Sequence, residues 1–113
     1  MRGPTLHLVS EPVWTSRDPA TTYLPAAYPQ DGFIHCTDGD EAMVATANRF
    51  YRESPGEFLV LTIDLERTGS PWRFDDPGER YPHVYGPIDP ASVIEVRRFT
   101  RAADGTFTGI VAR

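Results

Sequence analysis

The chain has 113 residues, a net charge of −5 and one cysteine. This length fits a single domain over residues 1–113, the acidic balance argues against binding to extended nucleic acid, and a lone cysteine excludes an internal disulfide. No apolar run reaches membrane-spanning length, and MRGPTLHLVS lacks the apolar region of a signal peptide. We therefore expect a cytoplasmic protein without membrane contact.

The N-terminal third predicts a strand, a short helix and a second strand. Residues 5–9 have strand character, and Ser10 stands as the N-cap of a helix with Pro12 in its first turn. Residues 30–32 (QDG) indicate a turn, and residues 33–36 a strand.

The main helix is expected directly after this strand. Thr37 is its predicted N-cap, followed by acidic residues that favour the positive end of the helix dipole. Met43, Ala47, Phe50 and Tyr51 recur at spacings of four and three, and these predict the buried face.

The second half of the chain predicts strands. Residues 58–64 (FLVLTID) are almost continuously apolar, as in a central strand, and residues 72–74 predict a short one. Asp104-Gly105 indicates a hairpin between residues 93–100 and 107–111. The fold class is α+β: a small mixed, mainly antiparallel, split β-sheet with one main helix.

The stretch FIHCT contains the first candidate site residues. Successive strand side chains face opposite sides, so His35 and Thr37 share one face, and Ile34 and Cys36 share the other. Ile34 and Cys36 are expected in the core, Cys36 as a small buried hydrophobe. The polar pair is then free to face a cleft.

A second pair follows in YPHVYGP, where His83 and Tyr85 stand two residues apart. We predict that His35, Thr37, His83 and Tyr85 line one cleft as catalytic residues. The alternatives are core histidines that are satisfied by hydrogen bonds, a Thr37 that only caps a helix, and a Tyr85 that is only packed.

Metal binding is not expected. The chain has no HxH, HxxxH or CxxC spacing, and no glycine-rich phosphate-binding motif.

Four stretches carry a family resemblance: DGFIHCT, ATANRFYR, FLVLTIDLERT and YPHVYGPI. In this order they resemble the family catalogued as domain of unknown function 952, with Thr37 where the usual family form has serine. That family looks like a remote branch of the ADP-ribosyltransferase superfamily. The resemblance implies an ADP-ribosyltransferase-like fold, with a nicotinamide cleft between two small sheets.

The resemblance also implies partners and roles. NAD would be a substrate, a small nucleotide the partner, and His7 or His35 would contact its nicotinamide-ribose half. Asn48 and Arg49 of ATANRFYR complete the substrate-binding candidates, although Arg49 also fits an ordinary solvated helix face and His7 an exposed strand position. No residue matches the superfamily's catalytic glutamate clearly; Glu95 on a late strand is a guess.

Three functions therefore stand open from the sequence. The first is an ADP-ribosyltransferase-like or NAD/ADP-ribose-processing enzyme with a histidine-lined cleft. The second is a non-catalytic nucleotide or small-molecule binding module on the same fold, which the missing glutamate favours. The third is a structural or interaction domain whose histidines belong to the core.

Overall fold

The computed structural model describes residues 3–113. Within them it has seven strands, three α-helices and two short 3-10 helices. The elements are, in chain order, β1 (Thr5–Ser10), α1 (Glu11–Ser16), α2 (Tyr28–Asp31), β2 (Ile34–His35), α3 (Asp40–Tyr51), β3 (Phe58–Ile63), a 3-10 helix (Leu65–Arg67), β4 (Trp72–Phe74), β5 (Pro82–Val84), a 3-10 helix (Pro90–Ser92), β6 (Val93–Arg101) and β7 (Phe107–Ala112).

The larger sheet has four strands in the order β1-β3-β6-β7, and every neighbouring pair is antiparallel. The central position predicted for FLVLTID is confirmed, because β3 is hydrogen-bonded on both sides. The predicted hairpin is also confirmed: β6 pairs with β7, and Gly105 in its turn has a φ of 94°. A positive φ is readily adopted only by glycine.

Strand β3 is buried on both faces, which explains its unbroken apolar sequence. Leu59, Leu61 and Ile63 belong to a core cluster that lies towards the smaller sheet. Phe58 and Val60 belong to a second cluster beneath α3. A strand that alternates in a half-exposed sheet would need polar residues at every second position.

The smaller sheet has three antiparallel strands in the order β2-β5-β4. The predicted strand over residues 33–36 is shorter than expected, since β2 comprises only Ile34 and His35. Ile34 and Cys36 are each 1% exposed, so their predicted core position is confirmed. The segment YPHVYGP supplies β5.

The two sheets are joined where β1 meets the end of β2. Leu6 and Thr37 exchange two backbone hydrogen bonds, with N···O distances of 3.0 and 2.8 Å. A second bridge connects Tyr23 and Ile88 by two bonds of 2.9 Å. The fold is thus a small α+β structure made of two antiparallel sheets.

The predicted helix cap is wrong. Helix α3 begins at Asp40 and its N-cap is Gly39, whose φ of 90° turns the chain into the helix. Thr37 lies before this turn, and its backbone is bonded to Leu6 instead. The threonine therefore belongs to the sheet junction.

The predicted apolar face of α3 is only half correct. Met43 and Ala47 are buried at 2% and 0% exposure, whereas Phe50 and Tyr51 are 65% and 37% exposed. Tyr51 keeps a ring contact with Phe58 on β3, with 5.4 Å between the centroids, whereas Phe50 is mainly exposed. No helix within residues 3–113 is both long and apolar enough to cross a bilayer.

Asn48 connects α3 to β7. Its amide nitrogen donates to the Phe107 carbonyl at 3.0 Å, and its amide oxygen accepts from the Phe107 N–H at 2.7 Å. Both ends of the amide are therefore engaged with the backbone. This arrangement accounts for Asn48 structurally, and it leaves the expected substrate-binding role without support.

We predict that Asn48→Ala lowers the free energy of unfolding by about 1–3 kcal/mol, because a buried N–H and C=O lose their partners. Urea denaturation measures this loss. Glu53→Ala, at an exposed position just after α3, should change stability by less than about 0.5 kcal/mol. Equal stabilities of the Asn48 variant and the wild type would contradict the structural role.

Candidate functional site

A cleft opens where the two sheets meet and contains two adjoining cavities. The smaller has a volume of about 380 Å³ and the larger of about 670 Å³. Four residues line both cavities: His35, Thr37, Thr46 and Phe50. These residues therefore form the boundary between two compartments of one cleft.

His35 and His83 lie side by side on the smaller sheet. They are direct partners in the antiparallel pairing of β2 with β5, so both side chains project from the same face. Their ring centroids are 5.7 Å apart, with an angle of 70° between the rings. Both histidines, which the sequence predicts in one cleft, line the smaller cavity.

Phe33 packs flat against the second histidine. Its ring centroid is 3.8 Å from that of His83 at an angle of 12°, and 4.6 Å from that of His35. The Tyr85 ring is 5.8 Å away from the same phenylalanine. Phe33 therefore limits how far the imidazole of His83 can rotate.

Asp75 connects the polar side chains on this face. Its Oδ2 atom accepts hydrogen bonds from His83 Nδ1, at 2.8 Å, and from the Tyr85 hydroxyl. Its Oδ1 atom accepts from Arg73 Nε at 2.7 Å. The Arg73 guanidinium also lies over the Tyr85 ring, 4.6 Å from the centroid.

These contacts keep Asp75 ionised. The Tyr85 hydrogen bond is the main cause that lowers the pKa of the carboxyl to about 2, with further contributions from His83 and Arg73. The same bond raises the pKa of the Tyr85 hydroxyl. The carboxylate therefore holds the Nδ1–H tautomer of His83, and Nε2 is the ring nitrogen left to act as an acid or base.

The smaller cavity also contains an arginine. Within residues 3–113, Arg49 forms no ion pair, and its guanidinium lies 5.1 Å from the centre of the Phe50 ring. The smaller cavity also contains the negative charge of Asp76. This carboxylate accepts hydrogen bonds from the backbone N–H groups of Arg80 and Tyr81, which lower its pKa. Arg49 is thus available to an anionic ligand.

His7 is buried, so the alternative that it occupies an exposed strand position is wrong. It is 6% exposed; its Nδ1–H donates to the His35 carbonyl at 2.7 Å, and Nε2 accepts from the Tyr23 hydroxyl at 3.0 Å. Burial lowers the pKa of the imidazole to about 4. His7 lines the larger cavity, where it supports the strand that carries His35.

The remaining predicted residues differ in whether they line the two cavities. Thr37 lines both cavities, and Tyr85 reaches the site through Asp75 without lining either. Asn48 lines neither cavity. Glu95 also lies outside them and has its carboxylate 3.4 Å from Arg97 Nε, so nothing here supports the guess that it is catalytic.

The sequence-based interpretation missed Asp75 and Arg73. Asp75 opens the stretch Asp-Asp-Pro-Gly, which has the composition of a turn, so its sequence context does not indicate a functional residue. Only the pairing of β4 with β5, which sets Arg73 opposite His83, brings these side chains together. Among residues 3–113, no group of three or more His, Cys, Asp or Glu side chains is arranged to hold a metal ion.

The fold and the cleft define a small α+β protein with a histidine pair and a carboxylate at the junction of two antiparallel sheets. The chain belongs to the family described as protein of unknown function (DUF952), which it matches over residues 8–96. The comparison with curated proteins finds no match.

Solved structures support the same fold. The chain is similar to the crystal structure of protein CC0527 from Caulobacter crescentus, with 25% identity, a TM-score of 0.74 and coverage of 93% of each chain. The solution NMR structure of CC0527 gives a TM-score of 0.67 at 25% identity and covers 90% of this chain and 89% of the other.

We predict that mild acidification lowers the free energy of unfolding, and that His7 causes this loss. Its pKa is about 4 in the folded protein and 6.5 in the unfolded chain, so between these values only the unfolded state binds the proton. Stability is therefore full above pH 6.5 and falls as the pH drops to about 4, by roughly 3 kcal/mol in total.

Urea denaturation at several pH values between 7 and 4 measures this effect. The control is His7→Asn, which cannot titrate in this range. Acid destabilisation from Asp75 belongs to a lower range, because the folded pKa of that carboxyl is about 2. Identical pH profiles for wild type and variant would contradict the prediction.

Proposed function

We propose that this protein is a nucleotide-processing enzyme of the ADP-ribosyltransferase-like type that acts on NAD or ADP-ribose. The observation that carries the proposal is that the smaller cavity holds both His83, which is bonded to Asp75, and Arg49, which forms no ion pair within residues 3–113. An acid–base group beside a cation suits a substrate that joins a ribose to phosphates. The two-sheet architecture with a cleft between the sheets is consistent with that superfamily.

Arg49 binds the diphosphate in this proposal, because a guanidinium forms directed hydrogen bonds to phosphate oxygens. Thr37 and His35, at the boundary of the two cavities, orient the ribose hydroxyls. The Thr37 hydroxyl suits this role, since it makes no side-chain hydrogen bond to any other residue in the described part of the chain.

His83 transfers the proton. In the cleavage of NAD by water, the bond between the nicotinamide nitrogen and ribose C1′ breaks, and its electron pair leaves with nicotinamide. The water oxygen bonds to C1′, and its proton passes to Nε2 of His83. Asp75 stabilises the imidazolium that forms, and Tyr85 and Arg73 hold Asp75 in place.

A non-catalytic binding module on the same fold is the second candidate. One observation favours it: no glutamate is found among the described residues that line the two cavities. On this alternative the histidine pair and Arg49 bind the nucleotide without breaking a bond. Nicotinamide release from NAD separates the two candidates.

The first experiment is an NMR titration of the histidine side chains with NAD, ADP-ribose and a 2′-phosphorylated oligonucleotide. We expect the His35 and His83 resonances to shift together with one saturating ligand, while the buried His7 shifts less. If neither His35 nor His83 moves with any of the three, the nucleotide proposal fails.

We predict that Asp75→Asn reduces nicotinamide release by about 10²–10⁴-fold, because His83 loses its tautomer and its orientation. The affinity for ADP-ribose should change little, since Arg49 is intact. Chromatographic assay of nicotinamide and calorimetric titration with ADP-ribose measure the two effects.

The matched control is Asp104→Asn, which removes a carboxylate that is also paired with an arginine, 3.2 Å from Arg52, in the β6–β7 turn. It should leave both turnover and affinity unchanged. Equal turnover of the wild type and the Asp75 variant would exclude the proposed role of Asp75. Saturable ADP-ribose binding without any nicotinamide release by the wild type would support the binding module.

A further inference from the structure

The larger cavity has a composition unlike that of the smaller one. Its volume is about 670 Å³, which lies within the range of small-molecule sites. Six aromatic residues line it: Tyr23, Tyr28, Phe33, Phe50, Tyr51 and Phe58. Aromatic rings recognise other flat rings through stacked and edge-to-face contacts.

The charge of this lining argues against an ionic occupant. No arginine is present among its described residues, and the whole chain contains no lysine. An anion would therefore find no counter-charge. The lining includes one carboxylate, Asp31, and this group already lies 3.1 Å from Nε2 of His35. A cation would have to compete with that contact.

The rim of the cavity exposes apolar side chains to solvent. Val13 on α1 is 49% exposed, and Phe50 and Tyr51 at the end of α3 are 65% and 37% exposed. Exposed apolar groups that surround a cavity are typical of ligand-binding sites. Phe50 and Tyr51 therefore lie outside the core because they form part of the rim of this cavity.

We propose that the larger cavity binds an uncharged compound with a planar aromatic ring system, as a compartment separate from the nucleotide site. The occupant lies between the rim of Val13 and Phe50 and the aromatic floor of Tyr23 and Phe33. His35 and Thr37 separate it from the smaller cavity, so it adjoins the histidine pair. This compartment does not rest on the nucleotide proposal, because other residues define it.

The test uses three probes with one ring system: indole, the cation tryptamine and the anion indole-3-acetate. NMR spectra of labelled protein report the binding. We expect indole to bind most tightly and to shift the Val13 methyl groups and the amides of Ala26 and Ala27. The methyl groups of Val111, an exposed residue on β7 that does not line the cavity, should not move.

Two outcomes of this series overturn the proposal. If indole produces no saturable shift at its solubility limit, the cavity is not an aromatic site. If tryptamine or indole-3-acetate binds more tightly than indole, the compartment selects a charge instead. Saturation by indole of a protein already saturated with ADP-ribose would support separate compartments, whereas competition between them would overturn the separation.

A charge placed at the rim gives a second test. Val13→Arg should raise the dissociation constant of indole roughly tenfold, because the cation enters the mouth of the cavity. The control, Ile94→Arg, changes a residue that is 54% exposed on β6 and lines neither cavity. It should leave the indole affinity unchanged. Equal weakening in both variants, or in neither, would contradict the proposed position.

Discussion

The backbone contact between Leu6 and Thr37 joins the two sheets, and the candidate site depends on it. Its two hydrogen bonds bring the start of β1 to the end of β2. One residue further along β1, the buried His7 donates to the carbonyl of His35 at 2.7 Å. The strand that carries His35 is only two residues long, so these contacts with β1 do much to hold its position. The cleft opens at this junction, since Thr37 and His35 line both of its cavities.

The junction also explains why the site is asymmetric. On one side of His35 and Thr37, strands β4 and β5 present ionised and hydrogen-bonding groups around Asp75. On the other side, the core of the larger sheet and the loop before α2 present aromatic rings. A ligand that reaches the histidine pair therefore meets polar groups from one direction and apolar groups from the other. This division underlies both the nucleotide proposal and the aromatic compartment.

Asp75 illustrates how a site can depend on a residue without a recognisable motif. Its carboxylate receives hydrogen bonds from His83 on β5, from Tyr85 just after that strand, and from Arg73 on β4. Each of those bonds favours the ionised form, so the carboxyl has a pKa of about 2 although its side chain is only 32% exposed. The charge on Asp75 orients His83, and this orientation gives Nε2 a defined direction.

The local pattern of the sequence determined much of the fold. The central position of β3, the Asp104-Gly105 hairpin and the core positions of Ile34 and Cys36 were predicted correctly, because periodicity and turn chemistry act between neighbouring residues. The cap of α3 was not, since Thr37 is bound to a distant strand. The roles of His7, Asn48 and Asp75 were also beyond prediction: their partners lie 28, 59 and 8 residues away. Only the tertiary structure decides such contacts, because burial and strand register arise from the packing of the whole chain.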